Sequence, residues 1–213
     1  MRAVIIANGE LNGQEFARMA LTDCGYVVAC DGGLRHCDAL EITPDYIIGD
    51  LDSVDSDLLK KYREVPVPVK CFPAEKDQTD LELAIAHACD IGAEGIVVLG
   101  GLGGRVDHQL ANIFVLTQAV RRGVRAEMCD AHTRVMVIKD YGRLRRANGI
   151  LVTLLPLTAT AVGIVTEGLR YPLNDESLEA GSARGVSNEI KDECASVSLK
   201  EGLLLIIQTQ PEI

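Results

Sequence analysis

Two aspartates one residue apart, Asp50 and Asp52, lie in the acidic segment Gly49-Asp50-Leu51-Asp52-Ser53. On an extended backbone both carboxylates point the same way and Leu51 points toward a core. Two like charges about 4 Å apart repel by about 4 kcal/mol at an effective dielectric near 20. A hard divalent cation with a preference for oxygen ligands removes that repulsion, and magnesium bridging to phosphate suits it best. Taken alone, the segment reads more readily as a solvated loop in which Asp52 or Ser53 caps the next helix, and its convergence with other acidic segments reverses that.

Three further segments carry similar chemistry: Asp31-Gly32-Gly33, Lys76-Asp77-Gln78-Thr79-Asp80, and the run from Gly100 through Gly101, Gly103, Gly104, Arg105 and Asp107 to His108. Thr79 and Glu82 match a capping box, with Asp80 in the first helical turn where the dipole favours a negative charge. Metal ligation by Asp80 is an equal reading, and Lys76 with Asp77 reads as a surface ion pair. The glycine run lets backbone amides cradle phosphate. It is not a dinucleotide fingerprint, because Val106 stands where the third glycine belongs, and it lacks the Gly-Lys-Ser/Thr of a P-loop. Arg105 offers a planar fork for phosphate. Asp107 is either a helix N-cap or a ligand contact. His36, His87, His108 and His132 have no zinc spacing, and His87 reads as a structural residue in mid-helix.

The elements that must position these segments alternate. Apolar runs at Ala3 to Ala7, Tyr26 to Cys30, Tyr46 to Ile48, Val69 to Phe72, Ile96 to Leu99 and Arg125 to Cys129 predict buried strands. Leu81, Ala84, Ile85, Ala88 and Cys89 share one helical face, ended by Gly92; Leu110, Ile113, Phe114 and Thr117 repeat that spacing before Gly123. Strands alternating with helices predict a mostly parallel sheet covered on both faces. In such a sheet the four polar segments, each following a strand, converge on one edge, where open α/β sheets bind ligands.

Beyond Cys129 the helices cease. Thr133 to Ile138, Gly149 to Leu155, Ala161 to Thr166, Ala195 to Leu199 and Leu203 to Gln208 read as strands, the last two joined by a hairpin-like Lys200-Glu201-Gly202. The expected organisation is an α/β domain over 1–129 followed by a smaller all-β, sandwich-like domain over 130–213.

At 213 residues with 47% hydrophobic and 24% charged residues, the chain has the composition of a globular protein with a full-sized core. A net charge of −10 argues against nucleic-acid binding through a general basic field. No segment reaches the roughly 18 apolar residues of a membrane span, and the run from Met1 to Ala7 is too short for a signal peptide. Seven cysteines, an odd number without a CxxC pair, predict reduced thiols in a cytoplasmic protein.

In this order, Asp31-Gly32-Gly33, Gly49 to Ser53, Lys76 to Asp80, Gly100 to His108 and Ser187-Asn188-Glu189 of the second domain resemble the thiamine pyrophosphokinase family, in its bacterial form. The resemblance spans essentially the whole chain, including the change from α/β to all-β. It implies an enzyme that moves diphosphate from ATP to the hydroxyl of thiamine, giving thiamine diphosphate and AMP. It also implies a homodimer with active sites shared between subunits. Carried over residue by residue, Asp50, Asp52 and Asp80 would hold magnesium, and Asp52, Asp80, Arg105 and Asp107 would be catalytic. Asp31, Gly32, Gly33, Thr79, Gly101, Gly104 and Arg105 would line the nucleotide. Gln78, Asp107, Ser187 and Asn188 would approach thiamine. The first domain would thus bind ATP and magnesium, while the second would serve thiamine binding and dimerisation.

Two other readings fit parts of the sequence. Asp50-Leu51-Asp52-Ser53-Val54 resembles the nucleophile motif of haloacid-dehalogenase-type phosphatases, but that motif follows the first strand and needs an acidic pair after a late one. A non-catalytic nucleotide sensor would have no need for so many carboxylates around phosphate.

Overall fold

The computed structural model describes residues 1–52, 54–73, 75–146 and 149–210, without the Arg63 side chain; Ser53 lies outside them. The chain forms two compact units, Met1–Ala131 and His132–Ile213.

The first unit is a parallel sheet of six strands: β1 (Arg2–Ile6), β2 (Tyr26–Cys30), β3 (Tyr46–Gly49), β4 (Val69–Cys71), β5 (Gly95–Leu99) and β6 (Arg125–Cys129). Their order is β6-β5-β1-β2-β3-β4, every pair parallel. The chain steps outward from β1 through β2 and β3 to β4, then returns to the other side of β1. The β1/β5 boundary is therefore the topological switch point, where the connecting loops diverge and leave a crevice. β4 is not the buried strand that its sequence suggested: it is a sheet edge, and Val69, Lys70 and Cys71 are all exposed.

Among the described residues five α-helices accompany this sheet: α1 (Gln14–Thr22), α2 (Leu34–Ala39), α3 (Ser56–Arg63), α4 (Asp80–Asp90) and α5 (Val106–Arg121). α4 buries Leu81, Ala84, Ile85 and Ala88, the face that its periodicity predicts. α5 departs from expectation, because it buries Leu116, Ala119 and Val120 while Val106, Leu110 and Phe114 stay exposed. Two apolar stripes compete on this helix, and the one toward its C-terminus packs. The cap of α3 is Asp55, not Asp52 or Ser53; its carboxylate accepts from Asp57 and Leu58 N–H.

The second unit is a two-sheet antiparallel sandwich. One sheet has the order β12-β9-β14-β7, using β7 (Thr133–Ile138), β9 (Leu151–Pro156), β12 (Asn188–Glu189) and β14 (Leu204–Thr209). The other has the order β11-β10-β13-β8, using β8 (Tyr141–Leu144), β10 (Thr160–Glu167), β11 (Asn174–Glu179) and β13 (Ala195–Ser198). Inner-face residues such as Met136, Leu154, Ile164, Val197 and Ile206 form one core between them. Lys200-Glu201-Gly202 is not a hairpin: β13 pairs with β8 and β10, β14 with β7 and β9, so this link carries the chain from one sheet to the other.

Candidate active site

Backbone meets backbone where β1, β2 and β5 end. A Cβ added at Gly33 would lie 2.1 Å from the Ile6 carbonyl oxygen, and one at Gly100, where φ is +68°, would lie 2.6 Å from that of Ala7. Glycine is required at both for lack of room. A Cβ at Gly32 would strike the Asn8 side chain. The 3-10 turn Asp31–Gly33 is thereby seated against the end of β1, with Asp31 in the left-handed region at φ +46°.

The acidic group is built on this corner. Carboxylate oxygens of Asp31, Asp50 and Asp52 lie within 4.8 Å of one another. The backbone between the last two is not extended: Leu51 has φ +62° and Asp52 N–H donates to Asp50 Oδ1 at 3.2 Å. This tight local turn, rather than strand alternation, gathers the carboxylates. Charge repulsion from Asp50 foremost, then a hydrogen bond with Asp50, raises the Asp52 carboxyl from its ordinary value, and Asp31 and Asp80 add to it. An all-oxygen donor set under mutual repulsion fits a hard divalent cation.

Asp80 begins α4, whose N-cap Thr79 accepts from Glu82 N–H at 3.2 Å. The cap occupies the Thr79 hydroxyl. Lys76 pairs not with Asp77 but with Asp80, Nζ to Oδ1 2.9 Å. The signal for this lay in the sequence as i,i+4 spacing. Gln78 only approaches Glu82, at 3.5 Å.

The glycine loop after β5 leads into α5, whose N-cap is Arg105 and not Asp107. Asp107 lies in the first turn and takes a two-pronged grip from Arg105, Nη2 to Oδ2 2.6 Å and Nε to Oδ1 3.1 Å. Each partner holds the other in its charged form, the guanidinium pushed up and the carboxyl down. Gly101 and Gly104 are each tied to α5 through their carbonyls. Asn112 Nδ2 donates to the first at 2.9 Å, and Gln109 Nε2 to the second at 3.2 Å. Asn112 escaped the sequence reading because an amide within an apolar helix gives no sign of which loop it holds.

In the second unit Ser187 has φ +60°, and its N–H donates to Thr153 Oγ1 at 3.2 Å. Asn188 is buried, its amide spent on the chain: Oδ1 accepts from Tyr171 N–H at 3.0 Å and Nδ2 donates to Tyr171 C=O at 2.7 Å. Asn188 thus fixes the strand edge that carries Ser187 and has little left to offer a ligand.

Residues 17–128 match the family model described as thiamin pyrophosphokinase, catalytic domain, and residues 140–204 the one described as its vitamin B1 binding domain. The thiamine pyrophosphokinase of Bacillus subtilis is 28% identical over 88% of this chain and 85% of its own. A crystal structure of a thiamine pyrophosphokinase from that species superposes with TM-score 0.89 at 25% identity, over all of both chains. One from Geobacillus thermodenitrificans gives 0.86 at 27% identity, over 100% of this chain and 99% of that one.

Proposed function

The chain belongs to the thiamine pyrophosphokinase family, and from that premise we infer that it transfers diphosphate from ATP to the hydroxyl of thiamine, giving thiamine diphosphate and AMP. The observation that carries this reading onto the chain's own residues is the convergence of Asp31, Asp50 and Asp52 at the carboxyl ends of β2 and β3. The phosphatase alternative has Asp50 after the first strand, whereas here it follows the third.

In the transfer the thiamine oxygen forms a bond to the β-phosphorus of ATP. The bond from that phosphorus to the oxygen bridging to the α-phosphate breaks, AMP leaves, and the hydroxyl proton passes to solvent or to a carboxylate. Such chemistry depends on positioning and charge neutralisation more than on covalent participation. Asp50 and Asp52, joined by Asp31 and with Asp80 alongside, would hold magnesium, which supplies charge neutralisation at the phosphates. Backbone amides of the Gly101–Gly104 loop and the Arg105 guanidinium face the same task from the protein side. Asp107 is a poor proton acceptor while Arg105 holds it ionised, so its part is to aim that guanidinium. Ser187, with an exposed edge position, is the second unit's candidate for thiamine.

A homodimer is supported by α5, where Val106, Leu110 and Phe114, four residues apart, expose an apolar stripe. All seven cysteines are free thiols, which suits a reducing, ATP-rich compartment such as the cytoplasm. Among the described residues no helix is long and apolar enough to cross a membrane.

The reading is tested by incubating the protein with ATP, magnesium and thiamine and identifying products by mass spectrometry. Thiamine diphosphate and AMP in equal amounts are expected; thiamine monophosphate with ADP would overturn diphosphate transfer.

A further inference from the structure

The second unit contains an open cavity of about 520 Å³ lined by Arg134, Arg143, Leu144, Arg145, Arg146 and Glu193. Four arginines lining one cavity are unexpected in a chain with net charge −10, and among its described lining residues the one carboxylate is Glu193.

The cavity has a rigid frame. Gln208 on β14 is 2% exposed, and every polar atom of its amide is engaged there. Its Oε1 accepts from Arg134 Nη1 at 3.2 Å and from Arg145 N–H at 3.0 Å, while its Nε2 donates to Arg145 C=O at 2.7 Å. Arg134 Nη1 also donates to Arg143 C=O at 3.3 Å. One buried amide therefore fixes the Arg134 guanidinium and the backbone on which Arg143, Arg145 and Arg146 stand. Arg143 and Arg146 are exposed and form no ion pair among the described residues.

Guanidinium forks match the oxygens of phosphate two at a time. The volume exceeds what a single phosphate ion needs and falls within the range of small-molecule sites. We propose that this cavity binds the diphosphate group of a phosphorylated small molecule, with Arg143 and Arg146 as its principal contacts. It is assembled from second-unit residues alone, none of them among the residues assigned to the transfer above. A nucleoside diphosphate and thiamine diphosphate share the recognised group.

The test is calorimetric titration of the full chain with inorganic pyrophosphate in EDTA at low salt, where no metal can bridge an anion to the carboxylates of the first unit. Saturable binding at one site per chain is expected. The double variant Arg143→Gln with Arg146→Gln should weaken it by roughly tenfold or more, Asp52→Asn should leave it unchanged, and Glu193→Gln should tighten it. The last result is a gain that misfolding cannot mimic. Competition with ADP and with thiamine diphosphate then identifies the source of the group. Absence of saturation, indifference to the arginine or Glu193 substitutions, a loss in Asp52→Asn, or competition by neither ester would overturn the proposal.

Discussion

Lys76 Nζ stands 2.9 Å from Asp80 Oδ1, and only 15% and 23% of the two side chains are exposed. The approach is ionic, without the directionality of a good hydrogen bond. Removing the ammonium leaves a largely shielded carboxylate unbalanced at the start of α4. Lys76→Met should therefore lose about 1–2 kcal/mol of unfolding free energy, and Lys76→Arg should retain most of it. Urea denaturation of both variants is the check; an unshifted midpoint for Lys76→Met would show that the pair contributes nothing.

Asp52→Asn should have opposite effects on activity and stability. The substitution removes one oxygen-bearing charge from the proposed metal-binding set, and activity with magnesium should fall by roughly 100-fold. Without metal it also relieves the repulsion that Asp50, Asp31 and Asp80 impose on this carboxyl, so thermal unfolding in EDTA should occur at a slightly higher temperature. A folded variant with near-normal turnover would remove Asp52 from the site.

The stripe on α5 makes the subunit arrangement testable away from the carboxylates. Phe114→Glu places a charge in the middle of the exposed apolar row and touches none of the buried residues Leu116, Ala119 and Val120. On the proposed homodimer, light scattering should report a folded monomer for the variant and a dimer for the parent chain. If sites are shared between subunits, activity should fall with dimer content and recover as protein concentration rises. A Phe114→Glu dimer of unchanged affinity would place the interface elsewhere.

His87 gives an acid-side dependence. Its ring stacks on Tyr46 at 4.1 Å between centroids, and Nε2 lies 3.3 Å from the Tyr26 hydroxyl. Burial lowers its pKa from the ordinary value of 6.5; Asp90 opposes that shift and Lys70 adds to it. The unfolded chain therefore takes up this proton at higher pH than the folded one. Stability from this residue is complete above about pH 6.5, declines as the pH falls below it, and levels off once the folded protein is also protonated. Denaturation midpoints at pH 7.5 and pH 5 should differ less for His87→Phe, which keeps the stacking, than for the parent chain. Equal differences would mean that His87 does not titrate with folding.

What the sequence disclosed depended on how local its cause was. Six parallel strands and the face of α4 follow from apolar runs and helical spacing, and the structure has both. β11, reading Asn174–Glu179 with Leu178 alone buried, has no apolar alternation to betray it; pairing with β10 makes it a strand. The short polar β12 is defined likewise by β9. At the site, Asp50 and Asp52 were legible as a pair, but their convergence arises from a left-handed Leu51 rather than an extended strand. A β-branched or bulky residue seldom adopts that conformation, so no residue-type signal announces it. Asp107 had the composition of a cap and was claimed instead by Arg105, two residues before it.

The contacts among Gly33, Gly100 and the end of β1 bear on how such a site can diverge. Where side chains separate two segments, exchanging a large one for a small one shifts the geometry by fractions of an ångström, and selection can adjust it in steps. No side chain separates these segments. The Gly33 and Gly100 contacts have no adjustable spacer, and any L-residue at Gly33 would enter the Ile6 carbonyl. Altered ligand preference must therefore arise in residues beyond this corner, while the corner itself is inherited intact or lost. In a saturation library, positions 33 and 100 should be nearly empty columns, whereas Gly92, which has no atom within 4 Å of an added Cβ, should admit at least asparagine.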